Sequence, residues 1–475
     1  MNAAKGVKNF DYDLLVIGCG PAGQRAAVQA AKIRKRVGIV DKRSVVGGEC
    51  VNKTTIPSKS FKEAVLFLSG FRQRSIYGAG YRVKSEIEMS DLTFRCNRIM
   101  QSEIDIITNQ LKRNRIEVIP GHAKFLDEHT LEIDNGVEKT RKTADKILIA
   151  VGARPNRPPE FQFNGVNIFD SDDILTMQKL PRELTIVGGG VVGTEYGSIF
   201  AALGVDVTII DLRKQLLGFL DEEIVEGFQY KLRSMGVTLR LGEEVQNCSS
   251  RGDGQVITEL KSGKIVVSDV VLISAGRVSA TADLGLEKIG IQPVERGKLV
   301  VNDNFQTAIS NIYAAGDVIG FPSLASTSGA QGRKVACHAF GIEESEIQCP
   351  LPYGIYSIPE ISYVGLNEQE ATNQHIPYET GVARFRETAR GQLLGDEDGM
   401  LKLLFHRDTG KLLGVHIIGE SATELVHIGQ TVMGLGGGID YLRDAVFNYP
   451  TLAECYKVAA FDGYNKLIAV RAGIS

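Results

Sequence analysis

The chain has 475 residues, enough for about three domains, and 43% of them are hydrophobic, as expected of a globular protein with full cores. Its 54 lysines and arginines against 57 acidic residues give a net charge of −3, so no basic excess points to nucleic acid. The opening "MNAAKGVKNFDYD" lacks the apolar core of a secretory signal, no apolar run nears the ~20 residues that cross a bilayer, and the seven cysteines lie scattered without a C-x-x-C pair, which favours a cytoplasmic protein with no membrane partner.

The first unit is "YDLLVIGCGPAGQRAAVQAAKIRKRVGIVD", residues 12–41. It reads as a buried strand, a glycine turn, a helix with small residues on one side, and a second apolar strand ending in an acid. Gly18, Gly20 and Gly23 form G-x-G-x-x-G. The first glycine permits the tight turn, the second lets a pyrophosphate approach the backbone, and the third lets helix pack close to strand. The helix N-terminus offers free N–H groups and about half a positive charge to phosphates. Asp41, 23 residues after Gly18, can accept hydrogen bonds from a ribose. Cys19 reads as a small residue that fits the turn.

Next comes "GGECVNKTTIPSK", residues 47–59, which sets Cys50 at the entrance of a helix. Five residues on, where a disulfide partner could sit, stands Thr55. A thiol and a hydroxyl cannot make a redox disulfide. In "DLTFRCNRIMQSEIDIITNQLKRNR" (91–115), Met100, Ile104, Ile107 and Leu111 make one apolar stripe, so this segment reads as an amphipathic helix packed on a core. "DKILIAVGARPNRP" (145–158) and "DVVLISAGR" (269–277) are apolar strands ending in similar glycine turns. They read as paired connections into and out of an inserted domain.

Between them, "LTIVGGGVVGTEYGSIFAALGVDVTIID" (184–211) echoes the first unit, with Gly188, Gly190 and Gly193 in the fingerprint and Asp211 again 23 residues on. An acid here favours a free 2′-hydroxyl (NAD), whereas an arginine pairs with a 2′-phosphate (NADP). Asp211 is followed by Arg213 and Lys214, so the preference stays open, and a solvated surface pair is the plain alternative for those two cations. In "TAISNIYAAGDVIG" (307–320) an apolar strand ends at Gly316-Asp317, from which a carboxylate can project toward a bound cofactor; its place after the insertion reads as a return to the first nucleotide site. From "CPLPYGIYSIPEISYVG" onward the composition shifts to mixed strands and helices with no fingerprint.

Taken in order, "GCGPAG", "GGECVNKTTIPSK", "GGGVVGTE", "ISAGR" and "IYAAGDV" resemble the FAD-dependent pyridine nucleotide-disulfide oxidoreductases over nearly the whole chain. The resemblance implies an α/β fold with two Rossmann-like dinucleotide-binding domains, for FAD and NAD(P), and a C-terminal α+β dimerisation domain. It implies FAD-domain segments 1–155 and 275–348, an NAD(P) domain 156–274, and an interface domain 349–475 that makes a homodimer or higher homo-oligomer. FAD would be held by Gly18, Gly20, Gly23, Asp41, Lys42, Gly48, Lys59, Gly152, Gly316 and Asp317, the last at the ribityl chain. NAD or NADP(H), as substrates, would meet Gly188, Gly190, Val191, Gly193, Glu195, Asp211, Arg213 and Gly276. Lys59 would lie by the flavin ring, paired with Glu195; a cation there stabilises the charge that develops on reduction. No metal is implied.

Two departures change the implied chemistry. Disulfide reductases of this family carry a second cysteine where Thr55 stands, and a histidine in H-P-T-x-x-E where this chain has Tyr449-Pro450-Thr451-Leu452-Ala453-Glu454. Disulfide exchange needs a thiolate and a base. Tyrosine, with an ordinary pKa near 10, replaces imidazole poorly at neutral pH, and no histidine follows His427. With both parts of the sulfur relay missing, the natural acceptor for hydride on a flavin is a second nicotinamide. A subgroup of the family shares T-I-P-S-K and N-Y-P-T, and resemblance to it implies Si-specific, ping-pong hydride transfer between NADPH and NAD⁺ through FAD. Asp211 departs from that subgroup, where an uncharged polar residue is expected. The candidate catalytic positions are thus Lys59, Glu195, Cys50, Thr55, Tyr449 and Glu454. Cys50 is expected to be a loop thiol without an essential redox step, and Tyr449 with Glu454 to border the flavin of a partner subunit or simply to pack an interface. Small Val191 either keeps the nicotinamide slot open or packs its helix. A disulfide reductase or dihydrolipoamide dehydrogenase-like enzyme using Cys50, an NAD(P)H oxidase or diaphorase, and a flavin redox sensor without turnover are the alternatives.

Overall fold

The structure, a computed structural model, describes residues 10–343 and 350–471. Cys349, the first residue of the expected interface domain, lies outside the described residues. The chain divides into two compact units, one of residues 1–60, 94–156 and 276–345, the other of residues 61–93, 157–275 and 346–475.

The first unit opens with β1 (Tyr12–Ile17), α1 (Pro21–Lys32) and β2 (Val37–Asp41). Leu14, Leu15 and Val16 are all fully buried, as in a parallel strand covered on both faces. Helices α2 (Gly48–Asn52), α3 (Thr55–Leu68), α4 (Arg74–Tyr77) and α5 (Met89–Arg113) follow along the chain; α4, most of α3 and the first residues of α5 belong to the second unit. The expected stripe on α5 holds: Ile107 and Leu111 are buried beside Val51 and Ile116, Ile104 packs against them, and Met100 is half-buried. Strands β3 (Glu117–Pro120), β4 (His122–Phe125), β5 (Thr130–Asp134), β6 (Lys139–Ile149) and short β7 (Ala153–Pro155) complete this stretch.

The chain then builds an all-parallel sheet in the second unit. Its elements are β8 (Ile168–Asp170), β9 (Glu183–Val187), α6 (Val191–Leu203), β10 (Asp206–Asp211), α7 (Glu222–Ser234) and β11 (Thr238–Leu241). An antiparallel three-stranded sheet, β12 (Val245–Ser250), β13 (Val256–Leu260) and β14 (Ile265–Ser268), precedes strand β15 (Val270–Ile273), which enters the parallel sheet between β9 and β8. The parallel order is β11-β10-β9-β15-β8.

Back in the first unit, β16 (Arg277–Ser279) pairs antiparallel with β7, and Asn156 N–H donates to Gly276 C=O at 2.9 Å. The outgoing and returning connections are therefore hydrogen-bonded to each other. Strand β17 (Ile312–Ala314) joins the first sheet beside β6, in the order β3-β2-β1-β6-β5-β4 with β17 on β6. Helix α8 (Ala325–Ala339) packs on α1 at backbone distance: a Cβ on Gly332 would lie 2.0 Å from Ala22 O.

The second unit ends in a five-stranded antiparallel sheet, order β18-β19-β22-β21-β20. Its elements run β18 (Tyr353–Ile355), β19 (Ile361–Gly365), α9 (Glu368–Asn373), β20 (Tyr378–Arg384), α10 (Ala389–Leu394), β21 (Met400–His406) and β22 (Leu412–Ile418). Helices α11 (Ala422–Gly434), α12 (Ile439–Asp444) and α13 (Glu454–Arg471) cover it, burying Phe405, Val415, Leu425 and Tyr456. Among the described residues, no helix is long and apolar enough to cross a membrane.

Candidate functional site: two dinucleotide cradles and a loop thiol

The two fingerprints fold alike. Gly18 and Gly188 take φ +107 and +105, a region that favours glycine. A Cβ on Gly18 would lie 2.3 Å from Ala150 O, and one on Gly188 would lie 2.6 Å from Ser274 O. A Cβ on Gly23 or Gly193 would strike the carbonyl of Gly18 or Gly188 at 2.0 or 1.9 Å, so each helix packs directly against its own turn. The middle glycines differ from these. A Cβ on Gly20 would meet nothing within 4 Å, and one on Gly190 would find only Arg213 Nη2 at 3.9 Å. Among the described residues neither α1 nor α6 has a side-chain cap, whereas Asp221 caps α7 by accepting the Glu223 N–H. Open space above uncapped N–H groups is what a pyrophosphate requires, so the residues at both turns fit a dinucleotide.

Each turn is braced by its terminal acid. Asp41 Oδ2 accepts Cys19 N–H at 2.7 Å and Oδ1 accepts Arg43 N–H at 2.9 Å. Asp211 Oδ2 accepts Gly189 N–H at 2.5 Å and Oδ1 accepts Arg213 N–H at 2.7 Å. The arginines two residues past each acid then part ways. Arg43 Nη2 reaches Glu49 Oε1 at 2.5 Å. Arg213 folds back on its own acid, Nε to Oδ1 at 2.9 Å and Nη2 to Oδ2 at 2.8 Å. Burial pushes the Asp211 carboxyl up, but the hydrogen bonds from Arg213 and Gly189 outweigh it and hold the group below its ordinary range.

Around the first cradle, Gly48 takes φ +61 and presses on the turn: its Cβ would lie 2.7 Å from Gly20 Cα. Next to it, Glu49 Oε2 is buried without a hydrogen-bond partner among the described residues, an acceptor suited to a ligand hydroxyl. Lys42 is exposed and Lys59 half-buried. Gly152 takes φ +69 with open space at its Cβ, and its carbonyl accepts Ala280 N–H at 3.0 Å. Gly276, at φ +86, has Arg296 Nη1 3.0 Å from a built Cβ. Gly316 (φ +84) donates its N–H to Gln331 Oε1 at 2.8 Å and delivers Asp317 at the end of β17. Burial raises the Asp317 carboxyl above the usual range, with Arg277 and the Ser328 hydroxyl pulling it back.

Cys50 sits half-buried on α2. Burial raises its thiol, the Thr55 hydroxyl and Lys59 favour the thiolate, and Asp317 and Glu103 oppose it; the net shift is upward. The Thr55 hydroxyl, in the position where a second sulfur would stand, thus favours the Cys50 thiolate without offering a sulfur partner. All six described cysteines are free thiols. Cys19 is fully buried and pushed up to about 12, chiefly by burial. This is opposite to the low pKa and exposure of a reactive sensor thiol.

In the second unit, Val191 is the half-buried first residue of α6. Buried Glu195 accepts Tyr356 N–H at 2.8 Å, and Ser198 Oγ accepts Ile358 N–H at 2.9 Å, so α6 is stapled to segment 356–358. Lys59 and Glu195 belong to different compact units. Tyr449 is 74% exposed and Glu454 begins α13, half-buried. Three carboxylates, Asp221, Glu223 and Glu368, come close enough to share a cation. Lys402 already serves them, with Nζ 2.9 Å from Asp221, 3.1 Å from Glu223, and hydrogen-bonded to Glu368.

Sequence reasoning missed Arg43, Glu49 and Ser274. The Ser274 hydroxyl donates to Gly188 O (2.8 Å) and lies under the second turn. The one available signal was the repeated arginine two residues after each terminal acid.

The Pyridine nucleotide-disulphide oxidoreductase family profile matches residues 12–332, and that family's dimerisation domain matches residues 351–460. A soluble pyridine nucleotide transhydrogenase of Mycobacterium bovis is 51% identical, covering 97% of this chain and 98% of the relative. Proteins of the same name from Pseudomonas aeruginosa and Colwellia psychrerythraea are 44% and 43% identical, over 96% and 97% of this chain and 99% of each relative. Among solved structures, LpdA from Mycobacterium tuberculosis superposes with a TM-score of 0.87 at 27% identity, over 94% of this chain and 99% of that one. The HOCl-induced flavoprotein disulfide reductase RclA from Escherichia coli gives 0.86 at 27% identity, over 95% and 99%.

Proposed function

This chain belongs to the pyridine nucleotide-disulphide oxidoreductase family, and from that premise we propose that it moves hydride between NADPH and NAD⁺, one dinucleotide at a time. The observation that carries the reading is the Thr55 hydroxyl beside Cys50, with Tyr449 in place of a base: the fold of a disulfide reductase is kept while the sulfur relay is missing. When bound, FAD supplies a centre that accepts hydride from one nicotinamide and gives it to another.

The chain's own residues supply binding and orientation. Gly20 leaves room for the FAD pyrophosphate at the open N-terminus of α1, with Gly18 and Gly23 shaping the turn. Asp41 takes the ribose, and Gly48, Lys42, Gly152 and Gly316 border the cofactor with Asp317. Lys59 presents a cation that favours negative charge on the reduced ring. Gly188, Gly190 and Gly193 hold each nicotinamide dinucleotide in turn, with Val191, Glu195, Asp211, Arg213 and Gly276 around it. Binding in one orientation converts hydride transfer into an effectively unimolecular step. We read residues 1–155 and 275–348 as the FAD domain, 156–274 as the NAD(P) domain and 349–475 as the dimer-interface domain, in a cytoplasmic homodimer whose Tyr449 and Glu454 face the partner's flavin. We also carry over Si-face transfer, tested by which hydrogen of stereospecifically deuterated NADPH is lost.

The deciding assay follows NADPH oxidation with thio-NAD⁺ as sole acceptor, beside glutathione disulfide and lipoamide. Rapid reduction of the thio-nucleotide with negligible disulfide turnover is expected; the reverse pattern would sink the reading.

A further inference from the structure

A site that serves NADPH and NAD⁺ alternately faces a conflict at the adenosine ribose. A free carboxylate there repels a 2′-phosphate, and a fixed arginine leaves a 2′-hydroxyl without an acceptor. Asp211 and Arg213 offer a way out. An ionised carboxylate has about four lone-pair sites. Among the described residues, four N–H groups fill them: the backbone of Gly189 and Arg213, and Nε and Nη2 of the Arg213 side chain. The two backbone donors are fixed by the turn. The two guanidinium donors are not, because the Arg213 side chain is 55% exposed while that of Asp211 is 5% exposed. Arg213 Nη2 is also the nearest atom to the open face of Gly190.

Resting on the reading of two alternating dinucleotides, we infer that Asp211 and Arg213 form a two-position selector that fits the second site to both. With the fork closed, as in this structure, Asp211 is neutralised and Arg213 keeps three of its five N–H groups for a 2′-phosphate. With Arg213 swung to solvent, one acceptor site opens on each oxygen of Asp211, matching the two hydroxyls of an NAD ribose. The first cradle supplies the contrast. Arg43, in the same place after its acid, is engaged by Glu49, and the described side chains leave Asp41 with two backbone donors only. Its acid stands permanently ready for the ribose of a dinucleotide that does not change.

The test is titration of the FAD-loaded protein with NADP⁺ and with NAD⁺, read by calorimetry. Arg213→Gln should weaken NADP⁺ about tenfold or more while NAD⁺ binds as before or tighter. Asp211→Asn should leave NADP⁺ unchanged or tighter and weaken NAD⁺ several-fold. If Arg213→Gln weakens both nucleotides equally, or neither, the selector is overturned. Should either variant fail to fold, wild-type protein decides: raising salt from about 50 to about 500 mM should lower the NADP⁺-to-NAD⁺ affinity ratio, because the phosphate contact is screened, and a constant ratio overturns the proposal. Absence of hydride exchange in wild-type protein that still discriminates in this way would count against the parent reading and not against the selector.

Discussion

The two glycine turns at residues 18–43 and 188–213 are nearly the same object twice. Both have a left-handed first glycine, an open middle glycine, a third glycine jammed against the turn, and an acid bracing the second N–H. They differ in where one arginine goes. In the first turn, α2 brings Glu49 within reach and draws Arg43 away from Asp41. In the second, Arg213 closes on Asp211. One scaffold thus suits a resident cofactor or an exchanging substrate according to whether its ribose acid is left available or guarded.

The sharpest way to break this comparison is to fill the middle glycines. Gly20→Val should yield a folded protein that does not retain FAD, since a Cβ at this position meets no protein atom within 4 Å and the side chain would occupy the pyrophosphate space. Gly190→Val should keep its yellow colour yet lose NADP⁺ and NAD⁺ binding alike by about 100-fold, or about 3 kcal/mol. Flavin absorbance and calorimetry check both. If Gly190→Val stripped the flavin instead, the assignment of the two turns would be reversed.

Smaller effects sharpen the contrast. Arg43→Gln breaks a partly exposed ion pair and should cost at most about 1 kcal/mol, seen as a modest fall in Tm. It should leave the NADP⁺-to-NAD⁺ affinity ratio alone. The Asp211 carboxyl lies below its ordinary value, so its pairing is present above the usual carboxylate range and is lost only as pH falls through the lowered value. Affinity ratios measured from about pH 7 to about pH 9 should therefore show no titration of this acid. Cys50→Ser should change hydride exchange less than about twofold. Because burial raises the Cys50 thiol, its alkylation should be slow near neutral pH and accelerate only above the ordinary thiol range; fast labelling at about pH 7 would revive a reactive role.

Much of this was legible in the sequence because it depends on local spacing. Both fingerprints, both acids, the return through Gly316-Asp317 and the Thr55 opposite Cys50 are fixed by residues close along the chain. The division between Arg43 and Arg213 was not, since it depends on whether the fold places a carboxylate nearby, and Glu49 does so only through the short helix α2. The Lys402 cluster was hidden for the same reason: its carboxylates come from positions 221, 223 and 368 and meet only after two sheets of the second unit are formed. Tyr449 is placed on an exposed surface by the packing of α12 and α13, which no local spacing encodes.

In hydride exchange without a sulfur relay, the flavin is the only store of electrons in the protein. Anaerobic reductive titration of the FAD-loaded enzyme counts that store directly. Full bleaching after two electrons per flavin, with no long-wavelength thiolate–flavin band on the way, is the predicted result. Uptake of four electrons would reveal a second redox centre in sulfur and contradict it.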